Sequence, residues 1–231
     1  RASPSLRHVF GALNVGYALN NLLPVRAGEL GRTYLICRKQ PLDAGHVLST
    51  IVVERVLDTI TVVALLMLTL PFIDAPAWAR GPALLLGLGF LGAAIALAIA
   101  SAAHDPAMSL VRRITRKLPE RLHERAERVA ESALEGFAVT RMPSVMARAL
   151  AWSVVSWLLS ALVMYAVMKA FGLSVPLTAG IFVMCATSLG AIVPSSPGYV
   201  GVFHAIAIES LVGVFGVARN DAAGFAFVQH A

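Results

Sequence analysis

Six ionisable residues sit in two short clusters inside otherwise apolar sequence, and no other side chains are better placed to do chemistry. Arg26, Glu29 and Arg32 are spaced three apart, so on a helix each neighbours the next along one face. Glu54 and Asp58 are four apart, and Arg55 reaches Asp58 at a spacing of three. Charged groups in an apolar segment must pair or face water, and by default they mark a functional site. The first cluster sets two cations beside one carboxylate, with Asn20 and Asn21 as further donors upstream. Cationic forks and helix ends suit a phosphate group. The plainer alternative is that the two clusters neutralise each other and pin their helices together.

A second polar group lies far down the chain. Ser195 and Ser196 place hydroxyls between Pro194 and Pro197, Gly198 and Gly201 permit close backbone approach, and His204 follows at helical spacing. His204 reads as a packed hydrogen-bonder or as a proton relay. Glu209 stands alone in an apolar helix and needs a partner that the sequence does not identify. The two polar regions share one backbone pattern. Pro24, Gly28 and Gly31 recur 170 residues later as Pro194, Gly198 and Gly201. Apolar segments broken by Pro and Gly at matching places in two halves point to the central site of a membrane transporter.

Other chemistry finds no support. There is no GxSxG, Walker A or HExxH pattern, and the Gly-rich breaks lack the strand context of a dinucleotide fingerprint. Cys37 and Cys185 stand in separate apolar segments without a CxxC or His partner, so they read as small buried residues. The expectation is a protein that is not an enzyme and uses no metal and no cofactor.

The elements that must position these residues are membrane helices. Apolar residues make up 58% of the chain and charged residues 14%, with mean hydropathy +0.75. A soluble domain averages roughly 45–50% and about 25%. The uncharged runs Pro82–Ala103 and Ala149–Met168 hold 22 and 20 residues, each long enough for a hydrocarbon core of roughly 30 Å. Within the first, Gly92, Ala96 and Ala100 form a stripe of small residues suited to close helix packing. Residues 8–37 read as a first broken helix pair: helix in, break at Pro24, helix back out. Arg26, Glu29 and Arg32 would each cost about 2.5–3.5 kcal/mol at a lipid-facing helix centre, which argues against a plain span. In Val47–Ile73 the uncharged part, Thr59–Ile73, has 15 residues, about 22 Å of helix, so Asp58 and its neighbours must lie in or at the membrane. Residues 176–217 read as a second broken pair or a plain hairpin. The whole is an all-α polytopic bundle, one membrane domain over 1–231, with two re-entrant segments as an inverted repeat. The chain opens on Arg1 and reads as a fragment of a longer protein.

The net charge of +6 is concentrated rather than spread, with nine of the 19 Lys and Arg in residues 104–148. Leu110, Ile114, Leu118 and Leu122 recur there every four residues, continued by Val129, Ala133 and Phe137. That is an amphipathic segment interrupted at Pro119, which either lies on anionic lipid headgroups or forms a solvated cytoplasmic helical hairpin, and it does not point to nucleic acid. By loop charge it lies in the cytoplasm, together with loop 38–46, and the first broken pair enters from that side.

Three blocks, NNLLPVRAGELGR, STIVVERVLD and PSSPGYVGVFHA, closely resemble the signature blocks of the lysylphosphatidylglycerol synthase transmembrane family, also called the flippase-like domain family. The resemblance covers about residues 8–225. It implies a helical membrane bundle with re-entrant segments and, in the best-known members, movement of an aminoacylated phospholipid between leaflets. The family's polar blocks map onto Asn21, Pro24, Arg26, Gly28, Glu29, Arg32, Glu54, Arg55, Asp58, Pro194, Ser195, Pro197, Gly198, Gly201 and His204. The full synthases carry a soluble aminoacyl-transferase domain that this chain does not show, so the resemblance implies a stand-alone member and no enzymatic activity.

The sequence thus leads to a lipid translocase of the bacterial inner membrane. In that reading Arg26 and Arg32 hold a lipid phosphate, and Glu29, Glu54 and Asp58 orient them or engage a cationic headgroup. The competing expectation is a non-transporting partner that recruits a lipid-modifying or glycosyl-transferring enzyme through residues 104–148. A membrane-embedded transferase acting on polyprenyl phosphates is weaker, for want of a base or a metal cluster. Beyond lipid, the partners open to the chain are a second copy of itself or a lipid-synthesising enzyme.

Overall fold

The computed structural model describes residues 5–23, 27–40, 42–73, 104–116, 119–137, 142–191 and 196–230, with isolated positions between 81 and 92. Pro24, Arg26, Pro194 and Ser195 lie outside the described residues, as do nearly all of the 82–103 span, with Ala96 and Ala100 of its small-residue stripe, and the loop before it. The same holds for Leu118 and for the side chains of Leu110, Leu122, Ala133 and Phe137.

The described elements are all helical. They are α1 (Leu6–Leu22), α2 (Gly28–Lys39), α3 (Ala44–Thr69), α4 (His104–Thr115), α5 (Glu120–Phe137), α6 (Pro143–Ala170), α7 (Leu177–Gly190), α8 (Val202–Phe215) and α9 (Arg219–His230). Local chemistry sets many of the ends. Glu29 in the first turn of α2 and Arg38 and Lys39 in the last complement the helix dipole. Pro119 divides α4 from α5, as expected. Pro143, which needs no N–H partner there, opens α6. Gly216 ends α8 in the left-handed conformation at φ 66°, and α9 follows it, a helix that the sequence reading did not separate.

The chain forms two compact units, residues 1–56 with 92–149 and residues 57–91 with 150–231. The division falls inside α3 and α6.

In the first unit α1 and α2 pack closely, with Gly16 against Arg32 and Asn20 against Gly28, the register of an antiparallel pair. The contact depends on glycine. A Cβ on Gly28 would sit 1.9 Å from the Gly16 carbonyl oxygen and 2.6 Å from Asn20 Oδ1. A small core of Ala12, Ile36, Val47 and Ile51 lies beside it. Leu6, Phe10, Leu22, Leu30 and Tyr34 stay exposed, an apolar face that water would disfavour and lipid would not.

The second unit holds the larger core, in which Val62 and Leu66 of α3 meet Met164, Met168, Phe182, Val183, Leu211 and Phe225. Its longest element is α6, 28 residues with mean hydropathy 1.9 over its most apolar window, of which only 17% is buried. Trp152, Val155, Leu159, Leu162 and Val163 all point outward. A core helix of a soluble protein would bury such residues; a transmembrane helix exposes them to lipid. The 14-residue α7 and α8 are shorter than the sequence suggested. At about 21 Å each they fall short of a core of roughly 30 Å. A 3-10 turn at Pro197–Tyr199 brings the α8 segment to 19 residues, but Gly198, Tyr199 and Gly201 interrupt it with φ of 66°, 59° and 90°.

Candidate functional site

The two charged clusters meet within the first unit. Arg32, on α2, directs Nη1 at both oxygens of Glu54 on α3, at 2.9 Å to Oε2 and 3.2 Å to Oε1. Arg55 Nη2 donates to the same Oε1, and its Nε lies 4.0 Å from Glu29 Oε1. One carboxylate therefore closes two guanidiniums, and the four residues together are neutral. Arg32 is the most enclosed of them, with a side chain only 15% exposed against 32% for Glu54. Its Nε is buried without a hydrogen-bond partner.

The asparagines divide. Asn20 Oδ1 accepts from the Gly28 N–H at 2.8 Å and so satisfies a backbone donor at the start of α2, a structural use. Asn21 is exposed. Gly31 packs on Leu19 and, with Gly28, lets α2 approach α1 closely.

Asp58 belongs to the second unit, where its Oδ1 accepts from Ser153 Oγ at 2.7 Å and from Trp157 Nε1 at 3.2 Å. Ser153 also lies 3.2 Å from Thr61 Oγ1. These α6 residues were not singled out from sequence. A serine and a tryptophan in an apolar span carry no signal until the chain folds, although their four-residue spacing puts both on one helix face.

The second break is organised by two histidines. His204 is buried, and its Nδ1 accepts from the Gly201 N–H at 3.2 Å at the start of α8. His230 Nε2 donates to the Gly198 carbonyl at 2.7 Å. The two rings lie 4.7 Å apart, with Phe203 and Phe227 against them. Both imidazoles thus hold backbone groups of the turn, in which Gly198 and Gly201 take up the left-handed conformation freely and Tyr199 adopts it with a side chain. Ser196 Oγ donates within the same turn, to the Val200 carbonyl. Pro197 opens the 3-10 turn. Glu209 finds its partner in Arg219, 2.7 Å away on an exposed face.

On the basic segment, Arg112 and Arg113 of α4 and Arg116 just after it are exposed together with Ile114. A groove of about 510 Å³ lies where α5 meets the start of α3, lined by Arg128 but also by Asp43 and Glu131. Two carboxylates beside one guanidinium do not make an anion site. Among the described residues no grouping of three or more His, Cys, Asp or Glu could hold a metal ion. Both cysteines are free thiols.

No curated protein and no solved structure matches the chain. The family model does. The lysylphosphatidylglycerol synthase TM region matches residues 1–231, and with the exposed apolar faces of its helices the chain belongs to that lipid-related family of membrane proteins.

Proposed function

We propose that the chain moves a lipid with a phosphate-bearing headgroup between leaflets, either an anionic or aminoacylated phospholipid or a polyprenyl-phosphate-type lipid. The observation that carries this reading is the half-buried Arg32–Glu54–Arg55–Glu29 network between helices of a membrane protein. As a helix pin it is a poor device. Well-packed apolar side chains of similar volume often hold buried surfaces as well as or better than an ion-pair set.

As a binding site the arrangement has a clear mode of action. A guanidinium fork takes carboxylate and phosphate in the same bidentate geometry. A lipid phosphate can displace Glu54 from Arg32 while Arg55 keeps Glu54 neutralised, and Arg26 supplies the further positive charge that the incoming anion needs. On release Glu54 returns to Arg32, so neither ion is stranded. Glu29 engages the ammonium of an aminoacylated headgroup. Access alternates between leaflets, with the two Pro/Gly breaks as re-entrant elements of an inverted repeat and the His-held second break as a gate. The chain sits in the bacterial inner membrane with residues 104–148 in the cytoplasm. It makes and breaks no covalent bond.

The test is leaflet exchange of a fluorescent phospholipid in reconstituted vesicles. Arg26→Ala should reduce exchange to the level of empty vesicles while the protein stays folded; unchanged exchange would sink the assignment.

A second reading has one observation in its favour, the exposed Arg112, Arg113 and Ile114 of α4 with Arg116 just after it. There the basic segment recruits a lipid-modifying or glycosyl-transferring enzyme and the buried charges are structural. Replacing the three arginines with Gln discriminates: recruitment fails under this reading, whereas exchange survives under the first.

A further inference from the structure

We propose that α4 docks its outward face on anionic lipid headgroups, which makes the α4–α5 hairpin a surface that responds to the charge of the membrane. The two helices pack on each other, and polar groups join them. Thr115 Oγ1 lies 3.0 Å from His123 Nδ1, and Glu127 Oε1 lies 3.6 Å from both Arg112 Nε and His123 Nε2. Met108 and Thr115 are the buried α4 side chains among those described. Ile114 points outward and is 64% exposed. A hairpin surrounded by water draws its apolar residues inward and leaves the charged ones outside. Here Ile114 shares the outside with Arg112, Arg113 and Arg116. An apolar residue among cations is the composition of a helix face that lies in the headgroup layer.

Charge selects the occupant and orients the hairpin. Between His104 and Lys117 the three arginines and Lys117 stand against one acid, Asp105, a net of +3. In α5 the balance reverses, with three arginines against five glutamates, a net of −2. An anionic surface attracts the first helix and repels the second, so α4 is the one that turns toward lipid.

Position in the chain supplies the surface. Helix α4 begins at His104, directly after the uncharged run 82–103 that the sequence reads as a membrane span. After α5 the chain returns to the lipid-exposed α6 at Pro143. The arginines therefore lie within about 20 Å of helix from the end of that run, and headgroups are the first anionic surface in reach. Ile114 enters the edge of the acyl region, while the arginine stems run along it and keep their charges among the phosphates. The face shares no residue with the Glu54 network, so it stands or falls independently of leaflet exchange.

The experiment is amide hydrogen exchange over residues 108–116 of the full chain in nanodiscs. One set of discs is phosphatidylcholine alone and the other an equal mixture with phosphatidylglycerol. Exchange in α4 should slow roughly tenfold in the anionic discs and return to the neutral-disc rate at high salt. The start of α7 serves as the reference and should not respond. Arg113→Gln with Arg116→Gln spares the Arg112–Glu127 pair and should remove most of the slowing; Ile114→Ser should also reduce it. Equal rates in the two kinds of disc would overturn the proposal and leave α4 a solvated face, the state that recruitment of an enzyme requires. A slowing that high salt does not reverse, or that the double variant leaves undiminished, would overturn it as well. If the double variant does not fold, the lipid and salt comparisons on the unchanged chain still decide.

Discussion

Arg32 Nη1 reaches both oxygens of Glu54, at 2.9 and 3.2 Å, while Arg55 Nη2 donates to Oε1 of the same carboxylate. Glu54 therefore occupies the position that an anionic ligand of Arg32 would need. A carboxylate that must be displaced before the site can act ties the fold of the first unit to its proposed function. In the function we propose, Glu54 gives way when lipid phosphate arrives and returns to Arg32 on release.

The antiparallel seam between α1 and α2 rests on Gly28. Gly28→Ala would place a methyl 1.9 Å from the Gly16 carbonyl oxygen, so the two backbones must separate. The expected loss is on the order of 2 kcal/mol or more, within the range for overpacked sites. Gly11→Ala, which meets nothing within 4 Å on the same α1, should be neutral or slightly stabilising through its better helix propensity. Thermal unfolding of the two variants in detergent checks the contrast, and equal melting temperatures would contradict the seam.

Asp58 depends on α6 for its donors. Trp157→Phe keeps the ring and removes the indole N–H, and Ser153→Ala removes the hydroxyl. Each should destabilise the second unit by about 1–2 kcal/mol, the worth of a hydrogen bond to a carboxylate that is only partly screened from water. With Asp58→Ala in place the same substitutions should cost much less, because the acceptor is gone. A double-mutant cycle with no coupling would refute the assignment.

At the second break, His230→Phe retains the stacked ring but frees the Gly198 carbonyl. Amide hydrogen exchange over residues 196–201 should then speed up roughly five- to tenfold, as local opening becomes easier by about one hydrogen bond. Exchange at the start of α7 serves as the internal reference and should not move.

Much of this architecture was legible in the chain, for identifiable reasons. Pro and Gly punctuate it at Pro119 and Gly28, and long uncharged runs announced α6 within a few residues of its ends. The meeting of the Arg32 and Glu54 clusters stood among the alternatives because buried charges must be matched. Asp58's partners did not show, since Ser153 and Trp157 lie 95 and 99 residues away and are ordinary in an apolar helix. His230 and Arg219 escaped notice because α9 follows a glycine cap and has only a weak apolar face. Their roles toward Gly198 and Glu209 arise from tertiary contact alone.

The most direct test of the central claim separates a helix pin from a lipid-binding site. Arg32→Met with Glu54→Gln removes the ion pair in balance, leaves Arg55 a neutral acceptor and fills the volume of the lost side chain. The measurement is leaflet exchange of a fluorescent phospholipid in vesicles carrying this double variant, normalised to folded protein. The account predicts near-native melting with exchange at the level of empty vesicles. Exchange restored along with stability would show that Arg32 and Glu54 only hold the helices together.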